Sequence, residues 1–281
     1  MKQYTLSKKQ VSAFRRWLYE EECSSGTVGK YLRDIRDFLL WLGRNPITKE
    51  AVSQWKEKLQ RSGIVPGTVN SKLSALNKLF GYLGWRDCRV KYLKIQRSLF
   101  RSSERELSRE EYARLVKSAK ESQRERLALL METICATGIR VSELRYITVE
   151  AVRQGRAEVR LKGKIRTILL PSKLCRKLEK YAGKQKTVSG EIFVTRNGKG
   201  ISRRQIWAEM KSLCKKAGVA ASKVFPHNLR HLFARTYYRA CRDVAKLADL
   251  LGHSSIETTR IYLISTGAEH ARQLERLNLI C

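Results

Sequence analysis

The sequence predicts a mainly α-helical chain in two parts: a four-helix N-terminal unit, then a larger helical domain interrupted by a small β-hairpin. Three observations carry this expectation. Two long apolar stripes of period 3.6 run through the first third; a basic, Ser-rich stretch without periodicity follows them; and one pair of β-like segments flanks a Lys–Gly turn further on. A length of 281 residues is enough for two hydrophobic cores, and 42% apolar residues argue for a globular chain rather than a disordered one.

In the first third, Val28, Tyr31, Leu32, Ile35, Phe38, Leu39 and Leu42 share one helical face, and Val69, Leu73, Leu76, Phe80 and Leu83 share another. Each stripe follows a helix-start signal, Ser24, Ser25 and Thr27 for the first and Pro66, Gly67 and Thr68 for the second. Weaker helical patterns span roughly 7–22 and 48–62, so the unit counts four helices and ends near Trp85. The segment 92–105 reads as a linker between a domain at 1–91 and a domain at 106–281. Ser108-x-x-Glu111 resembles a capping box and predicts a helix start, and another helix covers roughly 124–136. Ala157–Leu161 and Thr167–Leu170 form the expected hairpin; Glu191–Val194 with Asn197-Gly198 predicts a third short strand and its turn. The rest reads as helix, closing with about 268–277, where Ala271, Leu274 and Leu277 stand at helical spacing.

Charge narrows the class of partner. Lys and Arg number 58 against 26 Asp and Glu, a formal net charge of +32, which calls for an acidic partner. Nucleic acid fits, since a basic face releases counterions from phosphates. No apolar run approaches a membrane span, and Met1 to Lys9 lacks the apolar core of a secretion signal, so the expected location is the cytoplasm, on the nucleoid. Residues 1–105 hold 22 basic against 9 acidic side chains and the remainder 36 against 17, so either half can hold DNA, and a clamp of the two is one arrangement that would use both. The seven cysteines, Cys23, Cys88, Cys135, Cys175, Cys214, Cys241 and Cys281, show no C-x-x-C spacing and do not pair with the four histidines as zinc ligands; they read as free thiols.

Three short segments carry the chemistry. They are Ala136-Thr-Gly-Ile-Arg140-Val-Ser-Glu143-Leu144, Pro226-His227-Asn-Leu-Arg230-His231-Leu-Phe-Ala234, and Leu250-Leu-Gly252-His253 continuing to Tyr262. Pro226 suits a first helical turn, which sets His227 and Arg230 on one face. Gly138 is a candidate loop glycine before Arg140, and Glu143, one turn on, can orient that guanidinium. Two arginines, two histidines and a tyrosine form a toolkit for phosphoryl transfer without a metal: arginines stabilise the transition-state charge, a histidine or lysine moves protons, and a tyrosine oxygen can hold a covalent phosphate. Singly, each has a blander reading, such as a solvated histidine, a surface charge or one core tyrosine among eleven. Their joint occurrence, in order, is what counts.

Together the segments resemble the tyrosine recombinase (phage integrase) family, which includes the Xer-type recombinases, through Ala-Thr-Gly-x-Arg-x-x-Glu-Leu, His-x-Leu-Arg-His-x-x-Ala and Leu-Gly-His-x-x-x-x-Thr-Thr-x-x-Tyr. The resemblance covers nearly the whole chain, since 27–41 and 68–80 look like the family's helical core-binding domain. It implies a mainly α catalytic domain with a small antiparallel sheet, Arg140, His227, Arg230 and His253 binding and activating a scissile phosphate, and Tyr262 as nucleophile. It implies no metal or other cofactor, double-stranded DNA sites as substrate, and a homo-tetramer on two duplexes. The family also uses a hairpin-turn lysine as general acid. Lys162 directly precedes Gly163 and is the first choice; Lys164 is its rival, because the usual Gly-Lys-Gly-x-x-x-Arg spacing is one residue longer than here. After Tyr262, residues 263–270 differ from the Tyr-Thr-His continuation common in Xer proteins, which leans toward integrases of mobile elements. The last helix is either a lid on its own domain or a tail docking on a neighbour, and the resemblance favours the tail. Two other readings stay open: a type IB topoisomerase, which shares the chemistry without exchanging partners, and a DNA-binding regulator without catalysis.

Overall fold

Helix-start chemistry sets the first four helices. In the computed structural model, residues 2–95, 103–161, 164–195, 197–253, 255–260, 262 and 275–276 are described. The chain divides into two compact units, Met1–Arg97 and Ser98–Cys281.

The first unit holds α1 (Lys8–Glu20), α2 (Ser25–Leu42), α3 (Lys49–Arg61) and α4 (Pro66–Tyr82). Ser7, Ser24 and Thr48 cap α1 to α3 by accepting a hydrogen bond from the backbone three residues on; α4 instead begins with Pro66 in its first turn. The stripes seen in the sequence face inward: Val28, Ile35, Phe38, Val69, Leu73, Leu76 and Phe80 are all buried, with Phe14, Leu18 and Trp55 from the weaker helices. Two asparagines one heptad apart on α4 fasten the chain that leaves the unit. Asn77 pairs with the backbone of Val90 and Asn70 with that of Leu93, each through both a donated and an accepted bond of 2.8–3.2 Å.

The second unit holds α5 (Arg109–Glu121), α6 (Glu125–Thr137), α7 (Val149–Arg153), the hairpin β1 (Arg156–Leu161) and β2 (Lys164–Leu169), α8 (Ser172–Lys184), α9 (Arg203–Lys211), α10 (Cys214–Ala217), α11 (Pro226–Cys241), α12 (Val244–Leu251) and α13 (Ile256–Arg260). The Ser108–Glu111 capping box forms with both reciprocal bonds. Helix α6 is the central rod: Leu127, Leu130, Met131 and Ile134 are at most 1% exposed, and α5, α8 and α11 pack around it. The hairpin pairs antiparallel with Val159 opposite Arg166 and Ala157 opposite Ile168. Alternation then turns Ala157, Val159 and Ile168 into the core, while Arg156, Glu158, Ile165 and Leu169 face out.

The expected third strand is not a strand. Glu191 and Val194 each make one isolated bridge, to Thr148 and to Gly200, and the described sheet has two strands. Its turn does form, with Gly198 in the left-handed region and Thr195 N bonded to Lys199 O at 2.7 Å. The six described cysteines are free thiols. Within the 92–105 segment, 96–102 lie outside the described residues, as does most of the expected helix at 268–277. No described helix is long and apolar enough to cross a membrane.

Candidate active site

Two helix ends and one short turn build the site. Helix α6 stops at Gly138 and α12 stops at Gly252, both in the left-handed conformation that favours glycine. At Gly138 the need is doubled, because a Cβ there would run into the ring of Phe233. The sharp exit from α6 leads into a 3-10 turn, Val141–Tyr146, with Arg140 at its cap. Glu143 reaches back, accepting from the Arg140 backbone N–H at 2.7 Å and from Arg140 Nη1 at 3.0 Å. Its carboxylate, 1% exposed, also accepts from Arg166 Nη2 at 2.5 Å. The carboxylate therefore clasps Arg140, whose head remains open to solvent.

Arg230 lies on the first turns of α11, just after Pro226, and is 1% exposed. Its guanidinium donates to Gly138 O at 2.6 Å and to Leu251 O at 2.8 Å, the carbonyls at the ends of α6 and α12. The same Nη2 lies 2.9 Å from His253 Nε2. Burial drags the Arg230 pKa down to about 10, with nearby Arg140 acting the same way; a hydrogen bond with Tyr262 opposes them. It therefore stays a cation at neutral pH.

The Arg230 contact fixes the state of His253. A guanidinium only donates, so Nε2 must accept, and the ring proton must sit on Nδ1. That nitrogen lies 2.8 Å from Thr259 Oγ1. Burial, then the positive charges of Arg230, Arg140 and Arg166, push His253 down to about 4, so it is neutral at physiological pH.

Tyr262 follows α13, its N–H bonded to Thr259 O, and its side chain is 4% exposed. Its ring lies parallel to His253, 5.8 Å between centroids, and edge-on to His231 at 4.6 Å. His231 in turn meets His227 at 4.5 Å. The four rings form a line from His253 through the buried Tyr262 and His231 to the exposed His227. A cleft of about 1140 Å³ opens onto Arg140, His227 and Arg230, with Arg145, Phe193 and Trp207 on its walls.

Five of the six residues named from sequence thus fall in one cluster: Arg140, His227, Arg230, His253 and Tyr262. Lys162 lies outside the described residues, and of Lys164 only the backbone is described, at the start of β2. Among the described residues, no group of His, Cys, Asp and Glu is placed to hold a metal ion. Sequence reasoning gave no role to Thr259, His231 or Arg166. For Arg166 a signal existed: β2 alternates, and residue 166 falls on the inward side with Ile168, an unusual place for an arginine.

Comparison with known proteins gives the following. Residues 105–269 match the model described as the phage integrase family, and 11–87 match the phage integrase N-terminal SAM-like domain. A tyrosine recombinase XerA of Pyrococcus furiosus is 30% identical over 290 residues, covering 100% of this chain and 98% of the relative. The fold is similar to a lambda integrase tetramer bound to a Holliday junction, with a TM-score of 0.73 at 19% identity, over 90% of this chain and 76% of that one. It is similar also to a transposon Tn1549 integrase in complex with transposon right end DNA, with a TM-score of 0.70 at 15% identity, over 95% and 99%.

Proposed function

The chain belongs to the phage integrase family, and from that premise we propose that it is a site-specific tyrosine recombinase that cuts and rejoins double-stranded DNA through Tyr262. The observation that carries this reading is the convergence of Arg230, neutral His253 and Tyr262 in one buried cluster beside Arg140. In the reaction, Tyr262 Oη attacks phosphorus, an Oη–P bond forms and the bond to the 5′ oxygen breaks. The products are a 3′-phosphotyrosine and a free 5′ hydroxyl. A histidine of the cluster takes up the phenol proton. The hairpin-turn lysine, Lys162 with Lys164 as rival, protonates the leaving oxygen. Arg140 and Arg230 stabilise the charge on the non-bridging oxygens. Because the phosphate bond energy is kept in the covalent link, religation to a second duplex needs no ATP.

Residues 1–91 serve as the core-binding domain, 92–105 as the linker and 106–281 as the catalytic domain. Both halves carry excess positive charge, as DNA contact along the chain requires. Four protomers act on two paired duplexes, in the cytoplasm and on the nucleoid. The sequence after Tyr262 leans toward integrases of mobile elements rather than chromosome-dimer resolution, and the likeness to a transposon integrase is in keeping with that reading.

The test is covalent capture. The purified chain is incubated with a pool of nicked duplexes of randomised core sequence, and adducts that survive denaturing electrophoresis are digested and mapped. An adduct on the peptide holding Tyr262, lost in Tyr262→Phe while duplex binding persists, is the expected result. An adduct that persists in Tyr262→Phe rejects the assignment, and no adduct with the unaltered chain rejects the proposed activity.

A further inference from the structure

We infer that Arg166 is a positioning residue that holds Arg140 and the Gly252–His253 turn in register for strand cleavage. This rests on the recombinase reading above and extends it to a residue that touches no substrate.

The geometry is that of a strut. Arg166 leaves the inner face of β2, where its neighbours Ala157, Val159 and Ile168 are apolar and buried. One end of its guanidinium, Nη2, donates to Glu143 at 2.5 Å, the carboxylate that clasps Arg140. The other end, Nη1, donates to Leu250 O at 2.8 Å, in the last turn of α12. Between these contacts the side chain lies flat against Gly252: a Cβ there would stand 2.5 Å from Arg166 Cδ and 2.9 Å from Nε. Three segments distant in sequence, the hairpin, the Arg140 turn and the start of the His253 segment, are tied by one side chain.

A purely structural role accounts poorly for this residue. A mostly buried arginine at a core-facing strand position is costly, and here its Nε is buried with no hydrogen-bond partner among the described residues. An apolar residue would fill the position at lower cost in stability. Only the guanidinium fork spans Glu143 and Leu250 O together. Its charge also faces His253, with Arg140 and Arg230, and helps keep that imidazole neutral.

The test uses a duplex recovered by covalent capture on the unaltered full-length chain, and compares Arg166→Met, Arg166→Lys, Glu143→Gln and the Met/Gln double variant. Single-turnover cleavage, duplex affinity and thermal melting are read for each. Arg166→Met is expected to cleave about 10²-fold more slowly, the scale of a displaced catalytic group. Its duplex affinity should stay within about threefold, because phosphate contacts dominate binding. Since Arg166 acts in part through Glu143, the double variant should fall well short of the product of the two single defects. Arg166→Lys keeps the charge but cannot span both acceptors, and should lie between Met and the unaltered chain. Cleavage by Arg166→Met within threefold of normal overturns the inference, as does a defect that multiplies in full with Glu143→Gln. If Arg166→Met fails to melt cooperatively, Arg166→Lys decides: a normal cleavage rate overturns the inference, and a slowed rate with normal affinity supports it. Failure of the unaltered chain to capture any duplex would instead remove the recombinase reading, and this inference with it.

Discussion

Thr259 holds His253 by its inner nitrogen: Oγ1 stands 2.8 Å from Nδ1, and the threonine is wholly buried. Its neighbour Thr258 is exposed. With the ring proton placed on Nδ1 by the Arg230 contact, the hydroxyl accepts from it and so supports the tautomer that leaves Nε2 free to accept from Arg230. Thr259→Val keeps the shape and leaves a buried N–H unpaired, a loss of about 1–3 kcal/mol. We expect lower thermal stability, slower cleavage and a mixed tautomer signal in imidazole nitrogen NMR. Thr259→Ser should retain all three. Equal behaviour of Val and Ser would show that the hydroxyl does not set the ring.

The pH dependence of stability has a definite sign at His253. Its folded pKa, about 4, lies below its usual 6.5, so the unfolded chain takes up the proton first as pH falls. The stability this neutral ring contributes is complete above 6.5 and declines as pH drops toward 4. Melting temperature should therefore fall more steeply across that window for the unaltered chain than for His253→Gln. Parallel curves would place the ring's titration elsewhere.

The two arginines should fail differently. Arg230 is buried and ties two helix ends together, whereas the Arg140 side chain is 42% exposed and is anchored mainly by Glu143. Both Arg140→Ala and Arg230→Ala should slow cleavage by about 10²-fold or more, as loss of one transition-state donor does. Only Arg230→Ala should also lower the melting temperature by several degrees. Comparison of melting curves checks this, and an equally large loss of stability in Arg140→Ala would contradict the structural difference.

Substituting sulfur for the bridging 5′ oxygen separates Lys162 from Lys164. Sulfur leaves without a proton, so the true general acid becomes dispensable on that substrate. Lys162→Ala is expected to recover cleavage of the sulfur-substituted duplex and Lys164→Ala is not. The opposite pattern would transfer the role to Lys164.

Much of this architecture can be read locally. The α2 and α4 stripes, the Ser108 box and the Arg140–Glu143 pairing are all short-range patterns, and each appears where the residues predict it. The segment 191–194 has strand-like residues, but a strand exists only if a neighbour pairs with it along its length; among the described residues it makes single bridges to Thr148 and Gly200. The choice between Thr258 and Thr259 needs the pitch of α13 relative to His253, which no linear motif encodes. Arg166 sat in the hairpin segment considered for its lysines. Its meaning depends on contacts with Glu143, 23 residues away, and Leu250, 84 away.

The way Arg230 is held has an electrostatic consequence. Its two carbonyl partners, Gly138 O and Leu251 O, lie where α6 and α12 end, so helix dipoles present partial negative charge to it rather than a carboxylate. Among the described residues, Glu143 supplies the one full negative charge in the hydrogen-bonded group, against the guanidinium groups of Arg140, Arg166 and Arg230. The pocket is therefore locked in place without being neutralised. A surplus of positive potential is held where an open cleft meets Arg140 and the buried Arg230, and waits for an anion. Such a cavity should retain a tetrahedral or trigonal-bipyramidal oxyanion even at ionic strengths that strip duplex DNA from the outer surface.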